Sequence, residues 1–364
     1  MAKDGKSETT FMRGARSFIA GRFESVERET FDDGWMPEEK DERALQTQVT
    51  IERARTIVSH NDSPDVGFDS SINPYRGCEH GCIYCYARPS HAYLELSPGL
   101  DFETKLFAKT NAAELLRAEL AKPGYKPTVI ALGANTDCYQ PIERKYRITR
   151  QILEVLAECN HPVSLVTKSA LVERDLDILG PMAGKNLVRV FVSIGTLDRE
   201  LARKLEPRAA SPQRRLDVLK NLANAKVPCG VMVAALIPAL NDKTLEHVLE
   251  AAAAAGAEEA AYVIMRLPNE LKDLFKEWLA AHYPDRAQHV ISIVHQMRGG
   301  RDNDPNFGTR MSGTGNFAEL IAKRFEIACR KYRLNEHGAG RRRAELECGL
   351  FRPPAANPGQ FTLF

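Results

Sequence analysis

Residues 70–90 read SSINPYRGCEHGCIYCYARPS, and this stretch carries three of the chain's eight cysteines. They are Cys78, Cys82 and Cys85, in the spacing C-x3-C-x2-C. Disulfide scaffolds spread their cysteines more evenly, so the crowding indicates a metal site. Thiolates are the usual ligands of iron-sulfur clusters. Three of them leave one iron of a four-iron cube without a protein ligand, and a small molecule can bind there.

A zinc knuckle is the alternative for the same loop. Zinc takes four ligands in a tetrahedral arrangement, which His80 or His91 would complete beside the three cysteines. Gly77 and Gly81 flank the first two cysteines, and we expect them to let the backbone approach the metal closely.

Apolar runs alternate with helical patterns along most of the chain. The runs that predict strands are 70–75, 128–135, 163–169, 187–194, 229–237 and 260–268. The stretches that predict helices between them include 148–159, 212–225 and 243–255. This alternation predicts an α/β fold, a partial (βα)6 barrel with N- and C-terminal extensions. Ligands of such sheets bind at the carboxyl ends of the strands.

The extensions are expected on either side of the barrel. We predict a loosely structured N-terminal extension at 1–62, the barrel at 63–335 and a flexible tail at 336–364. A glycine-rich segment at 298–315 predicts a flexible loop before a last helix at 317–332.

Composition narrows the class of protein. The chain is 43% hydrophobic and 27% charged with a net charge of +2, which excludes a wholly disordered or fibrous protein and a strongly basic overall field. The N-terminus lacks an apolar signal region, and the longest apolar run, 227–240, is too short to span a bilayer. We expect a cytoplasmic protein that does not enter a membrane.

Tyr84, directly before the third cysteine, completes a pattern that resembles the signature of the radical S-adenosylmethionine (SAM) superfamily. CIYCYA, followed by GANTD at 133–137, VTKS at 166–169 and VSIGTLD at 192–198, resembles its spore photoproduct lyase-like branch over roughly residues 65–335. The resemblance implies a partial barrel of the radical SAM type and a [4Fe-4S] cluster on the three cysteines. It also implies SAM, cleaved to a 5'-deoxyadenosyl radical, and a reductant such as flavodoxin or ferredoxin.

Polar residues at the predicted strand ends are the candidates for binding SAM. They are Tyr84, Asn135, Thr136, Asp137, Lys168, Ser193 and Arg208. The resemblance implies that Lys168 pairs with the SAM carboxylate and that Ser193 lies near the ribose or methionine part. Each also has an ordinary structural alternative: a helix cap, a solvated lysine, a hydroxyl bonded to backbone, or a structural ion pair.

Two residues are candidates on the substrate side. Arg266, at the end of the sixth strand, is expected to point toward the substrate. Spore photoproduct lyases carry a hydrogen-donating cysteine in the second-strand segment, and Ala134 stands at the matching position of this chain. Cys138 lies nearby and is the candidate donor, with a buried small hydrophobic residue as its alternative.

The last five residues, QFTLF, resemble the short peptide by which bacterial replication and repair proteins bind the sliding clamp. Gln360 would bond at a pocket rim while Leu363 and Phe364 fill apolar subsites. The alternative is a hydrophobic tail that folds back on its own domain.

These features favour a radical SAM enzyme acting on DNA or another nucleic acid, in repair or modification. Radical modification of RNA, protein or a metabolite is the second hypothesis. A non-catalytic iron-sulfur protein that binds DNA or the clamp is the third.

Overall fold

A computed structural model describes residues 13–24, 45–336 and 345–354 of the chain. Its strands, numbered in chain order, are β1 (Gln48–Glu52), β2 (Val58–His60), β3 (Ser70–Ile72), β4 (Tyr75–Arg76), β5 (Lys105–Lys109), β6 (Ile130–Leu132), β7 (Val163–Thr167), β8 (Val188–Ser193), β9 (Cys229–Leu236) and β10 (Glu259–Ile264).

The α-helices are α1 (Asp101–Thr104), α2 (Ala112–Leu120), α3 (Glu143–Tyr146), α4 (Ile148–Glu158), α5 (Leu176–Ala183), α6 (Arg199–Leu205), α7 (Pro212–Asn224), α8 (Leu245–Ala254), α9 (Leu271–His282), α10 (Pro284–Met297) and α11 (Gly315–Lys331). Short 3-10 helices cover Arg88–Leu94, Ala170–Asp175 and Asp242–Thr244. Within the described ranges, no helix is both long and apolar enough to cross a bilayer.

Six parallel strands follow one another in chain order across the larger sheet. They run β3-β6-β7-β8-β9-β10, and β2 adds an antiparallel strand beside β3. The register joins core residues, such as Leu132 with Leu165 and Leu165 with Val190. Parallel neighbours need crossovers, which the helices between them supply. The predicted partial (βα)6 barrel is confirmed.

The helix boundaries follow from apolar spacing and caps. In α4, Ile152, Leu153 and Leu156 are buried on one face, as a helical period of 3.6 requires. Helix α7 begins where the Ser211 side chain accepts a hydrogen bond from the Arg214 N–H. The predicted helices at 148–159, 212–225, 243–255 and 317–332 correspond to α4, α7, α8 and α11.

Two parts of the fold were not predicted. Strands β1, β5 and β4 form a separate small sheet in the order β1-β5-β4. Helices α9 and α10 lie between β10 and α11, and α9 buries Phe275 and Trp278 in a second apolar cluster that also contains Ile237 and Met265. This cluster packs the two helices against the residues that follow β9 and β10.

The prediction of a loosely structured N-terminal extension is corrected for its described part. Strand β1 pairs in parallel with β5 from Gln48 to Glu52. Gly14 and Ala15 donate their backbone N–H groups to the Glu103 carboxylate at 2.9 and 2.8 Å. The backbone of the extension is therefore bonded to the fold in both described segments. Residues 1–12 and 25–44 lie outside the described residues.

The glycine-rich segment at 298–315 is fastened to the sheet, which corrects its prediction as a flexible loop. The buried Arg298 side chain donates hydrogen bonds to the carbonyls of Met265, Thr309 and Arg310. The Ile264 N–H donates to the Met311 carbonyl at 2.9 Å. The segment therefore extends the edge of the barrel next to β10.

Part of the predicted flexible tail is also packed. The Phe351 ring lies 5.4 Å from the Tyr125 ring and 5.5 Å from the His161 ring, centroid to centroid. The Arg352 N–H donates to the Cys159 carbonyl at 2.8 Å. Residues 337–344 and 355–364 lie outside the described residues, so clamp binding through Gln360, Leu363 and Phe364 stays a prediction.

A buried ion pair holds the cysteine loop from behind. Arg88 and Glu103 are both 0% exposed, and the Arg88 Nη2 atom lies 2.5 Å from Glu103 Oε1. Arg88 also donates to the carbonyls of Gly81 at 3.1 Å and Cys82 at 2.9 Å. The guanidinium thereby fixes the loop backbone at the second cysteine, and Glu103 balances its charge.

We predict that Glu103→Gln lowers the free energy of unfolding by about 3 kcal/mol, because it leaves the Arg88 charge buried without a counter-charge. Urea denaturation of the cluster-free protein measures this. The matched control is Glu326→Gln, whose partner Arg330 lies four residues on along exposed α11. Its loss should stay below about 0.5 kcal/mol. Equal losses in the two variants would contradict the assigned role of the buried pair.

Candidate active site

A cavity opens at the carboxyl ends of the parallel strands, where ligands of such sheets bind. All the predicted site residues except Cys138 and Arg208 line it: Cys78, Cys82, Tyr84, Cys85, Asn135, Thr136, Asp137, Lys168, Ser193 and Arg266. The loop after β3 and the ends of β6, β7, β8 and β10 therefore meet at one space, as the order of the strands requires.

The three cysteines present their side chains to this cavity as free thiols. Cys78 and Cys82 are buried and Cys85 is half-buried. Burial raises the pKa of the Cys78 thiol well above its ordinary value and that of Cys82 to about 12. A thiolate at these positions therefore needs positive charge close by, and the irons of a cluster supply it. The donor set fits a cluster held by three cysteines.

The zinc alternative lacks its fourth ligand. His80 Nδ1 lies 3.3 Å from Asp137 Oδ2, and His91 Nε2 lies 2.9 Å from the Lys105 carbonyl. Among the described residues, no group of histidines, cysteines and carboxylates is close enough to bind a single metal ion. Thiolates around a cube of iron and sulfide stand farther apart than ligands of one ion, so this result is compatible with the cluster.

The two loop glycines are required by what lies behind the loop. Gly77 and Gly81 have φ angles of 73° and 67°, in the left-handed region that favours glycine. A Cβ at Gly77 would stand 2.8 Å from the Phe102 carbonyl oxygen, and one at Gly81 would stand 2.7 Å from Glu103 Oε2. Close approach to a metal was the expected reason. The structure gives a different one, which is packing against the protein.

Asp137 joins two strand ends to the cysteine loop. Its Oδ1 accepts hydrogen bonds from Thr167 Oγ1 at 2.8 Å and from the Tyr139 N–H at 2.9 Å. Its Oδ2 accepts from the Lys168 N–H at 2.7 Å and faces His80 Nδ1, which is not aligned for a hydrogen bond. Burial would raise the pKa of Asp137, but the His80 and Lys168 contacts outweigh it and lower that pKa. The carboxylate is occupied by the protein, so it positions the site.

Tyr84 belongs to a buried network that sequence reasoning did not assemble. Its hydroxyl donates to Glu206, and Glu206 also accepts from Arg215. Arg215 in turn donates to the Ser193 carbonyl at 2.8 Å, at the end of β8. Burial would raise the pKa of Glu206, but Arg215 and Lys168 outweigh it and lower that pKa. A signal existed, because position 215 falls on the buried face of α7 with Val218 and Leu222.

The Lys168 ammonium faces the same network. Its Nζ lies 5.9 Å from the centroid of the Tyr84 ring. Burial would lower the pKa of Lys168, but Cys82, Glu206 and Asp137 outweigh it and raise that pKa, so the side chain is a cation at neutral pH. No hydrogen bond or ion pair of this Nζ is found within the described part of the chain. It is therefore available to an anionic ligand.

The remaining polar strand ends are partly satisfied by backbone. Thr136 Oγ1 donates to the Tyr75 carbonyl at 2.8 Å, and Ser193 Oγ donates to the Ala234 carbonyl at 3.2 Å. The Asn135 N–H donates to Asn73 Oδ1 at 2.9 Å, which leaves the Asn135 side chain at the cavity. Asn73 was not singled out in the sequence, since its role depends on a contact across 62 positions.

Cys138 and Arg208 are not brought to the cavity. Cys138 is 0% exposed within the main hydrophobic core, and burial raises the pKa of its thiol. That placement argues against a hydrogen-donor role. The Arg208 Nη2 atom lies 3.0 Å from Glu79 Oε1, and Arg208 lines a neighbouring cavity.

Positive and aromatic side chains border the outer part of the cavity. The Arg266 guanidinium carbon lies 5.9 Å from the centroid of the Tyr86 ring, and Tyr86 donates to the Ala134 carbonyl. On the fastened segment next to β10, Met311 also lines the cavity, whereas Arg310 is paired with Asp65 and lies over the Phe307 ring outside the lining. The Arg266–Tyr86 pair suits an anionic ligand with a flat ring.

Comparison with known proteins gives a matching family model, similar sequences and similar solved structures. The family described as "Radical SAM superfamily" matches residues 72–252. Uncharacterized protein Rv2578c of Mycobacterium tuberculosis (strain ATCC 25618 / H37Rv) is 40% identical over 220 residues, which are 60% of this chain and 65% of that protein. Uncharacterized protein MJ0683 of Methanocaldococcus jannaschii is 26% identical over 205 residues, which are 56% of this chain and 74% of that protein.

The similar solved structures include spore photoproduct lyase complexed with dinucleoside spore photoproduct. It has a TM-score of 0.58 and 16% identity, with 78% of this chain and 79% of that chain covered. A mutant of the lyase with bound AdoMet and the same dinucleoside gives the same four values, 0.58, 16%, 78% and 79%. At this identity the likeness concerns the fold.

We predict that Asp137→Asn lowers the iron and sulfide bound per chain after anaerobic reconstitution. The amide of the new side chain places an N–H donor where a carboxylate oxygen now accepts a hydrogen bond from Lys168 or Thr167. A buried donor left without a hydrogen-bond partner costs about 1–3 kcal/mol. Asp273→Asn, on the exposed side of α9, is the matched control and should retain full iron. Full iron content in Asp137→Asn would contradict the positioning role.

Proposed function

The chain belongs to the radical SAM superfamily, and from that premise we propose that it cleaves SAM reductively and directs the resulting radical to a nucleic-acid substrate. The observation that carries the proposal is the shared cavity. Three thiols, the Lys168 ammonium and the Arg266 guanidinium beside Tyr86 line a single space at the strand ends.

Cys78, Cys82 and Cys85 would hold the [4Fe-4S] cluster of this family. When bound, the cluster supplies the electron that cleaves SAM to methionine and a 5'-deoxyadenosyl radical. The protein's contribution is to keep the loop rigid, through Arg88 behind it and Asp137 beside it. Rigid support matters because a ligand set displaced by an ångström loses its geometry.

Lys168 would bind the carboxylate of SAM. Its half-buried side chain lies at the cavity beside Tyr84. Glu206 and Arg215 hold Tyr84 in place and restrain the end of β8 through Ser193. Asn135 offers an amide to the same ligand. At the half-buried Lys168, a polar contact is stronger than it would be at the surface.

A nucleic-acid substrate is supported by the border of the cavity and by the similar fold. Arg266 carries positive charge next to the Tyr86 ring at this border, where a phosphate and a base could bind. The lyase of similar fold is complexed with a dinucleoside spore photoproduct. We do not extend the lyase reaction itself, because Ala134 replaces the expected cysteine and Cys138 is buried in the core.

We predict that Lys168→Met weakens SAM binding by about 10–100-fold, since a charge-assisted bond contributes roughly 1.5–3 kcal/mol. Cluster absorbance and iron content should be unchanged. Equilibrium binding of SAM and the release of 5'-deoxyadenosine with dithionite measure the effect. Lys220→Met, exposed on α7, is the control. Unchanged SAM affinity in Lys168→Met would remove the assigned role.

Cys82→Ala should abolish 5'-deoxyadenosine release. Wild-type protein that carries the cluster yet releases none with dithionite and SAM would refute the proposed function.

For the substrate, the reconstituted protein is incubated with SAM, dithionite and single-stranded or damaged DNA. We expect a mass change in the DNA and a binding affinity that falls as salt rises. Arg266→Met should weaken DNA binding roughly 10-fold while SAM affinity stays the same. Arg330→Met, on exposed α11, should have no effect. Modification of peptides or metabolites with nucleic acids left intact would favour the alternative substrates.

A further inference from the structure

A second cavity lies on the other side of the cysteine loop. It is bordered by the loop itself, by α3, by the 3-10 helix Ala170–Asp175 and by the connection between α6 and α7. The charged residues that line it are Arg144, Arg208 and Arg214, and no aspartate or glutamate is among its lining residues. We call this feature the basic cleft.

His80 lines both the basic cleft and the cavity of the candidate active site, which we call the central cavity. It lies between Cys78 and Cys82 in the chain and is 2% exposed. Its carbonyl accepts a hydrogen bond from the Arg208 N–H at 3.3 Å. The His80 side chain, on the same loop as the three cysteines, therefore separates the cleft from the predicted cluster.

The charges of the cleft are only partly balanced by the protein. Arg208 pairs with Glu79 at 3.0 Å, and Arg214 pairs with Glu173. Arg144 is exposed, and no ion pair of its guanidinium is found in the part of the chain that the structure describes. Lys145 and Arg147 are exposed on the same short stretch and add to the positive charge. The surface therefore favours an acidic partner.

We propose that the basic cleft is the docking surface for an acidic one-electron carrier protein of the flavodoxin or ferredoxin type. This inference rests on the proposed function, which requires the cluster to be reduced. The central cavity must admit SAM and substrate, so it cannot also admit a protein donor. At the basic cleft a donor approaches the cluster loop on the side of His80, away from the cavity for SAM and substrate.

The step is a transfer of one electron. The carrier is oxidised by one electron and the cluster is reduced by one, and no bond to either protein forms or breaks. A docking surface for this purpose needs a modest area and complementary charge, because electron-transfer complexes are weak and short-lived. Charge complementarity raises the rate of encounter and makes it sensitive to salt.

The test compares two reductants in Arg144→Glu. With reduced flavodoxin as donor, 5'-deoxyadenosine release should fall at least 10-fold, whereas dithionite, which needs no docking surface, should give the wild-type rate. Calorimetric binding of flavodoxin to the reconstituted protein should weaken by a similar factor, and wild-type binding should weaken as salt rises. Arg330→Glu, on exposed α11, is the matched control and should behave as wild type.

Arg144→Gln is a milder second variant, expected to show a smaller loss with flavodoxin alone. Equal losses with both reductants, or unchanged flavodoxin affinity in Arg144→Glu, would overturn the proposal. So would Arg144-dependent binding of inorganic phosphate together with unaltered flavodoxin affinity, which would make the cleft an anion site. Absence of 5'-deoxyadenosine with dithionite, while flavodoxin still binds and Arg144→Glu weakens it, would refute the proposed function and leave the docking surface supported.

Discussion

The buried contact between Arg88 and Glu103 is the interaction on which the site depends. One guanidinium holds the carbonyls of Gly81 and Cys82, and its counter-charge holds the N–H groups of Gly14 and Ala15. Burying two charges is costly, and a buried pair is weak evidence of added stability. Its contribution here is orientation, because four backbone groups from two distant segments meet at one ion pair. The backbone of the cysteine loop is thereby held in one position.

The parallel sheet brings the other residues of the site next to the cysteine loop. Adjacent strands end at the same edge, so Asp137, Lys168 and Ser193 arrive from β6, β7 and β8 as neighbours. These side chains differ in the hydrogen bonds that they make across this edge. Asp137 bonds across the strand ends, whereas the Lys168 ammonium has no hydrogen bond or ion pair among the described residues. Residues that look equivalent in the sequence thus differ in whether the protein already satisfies them.

The cysteine loop and the barrel could be predicted from local sequence patterns. The spacing of three cysteines and the alternation of strand and helix patterns can be recognised without knowing any tertiary contact. The strand-end residues followed from one rule about parallel sheets. Pairs distant in the chain were not predictable: Tyr84 meets Glu206 across 122 positions, and Gly14 meets Glu103 across 89. The same limit explains the small β1-β5-β4 sheet and the wrong expectation for the N-terminal segment, since polar composition does not reveal a partner elsewhere in the chain.

The contact of Gly14 and Ala15 with Glu103 also sets an order of assembly. These residues are synthesised before residue 103, so their N–H groups cannot bond to the Glu103 carboxylate until the chain between them has been made. Closing so long a loop is slow compared with forming a helix. Until it closes, water has access to the ion pair behind the cysteines and the loop lacks its final restraint. The cysteine loop therefore gains this restraint only after residues on both sides of it have been made and have paired.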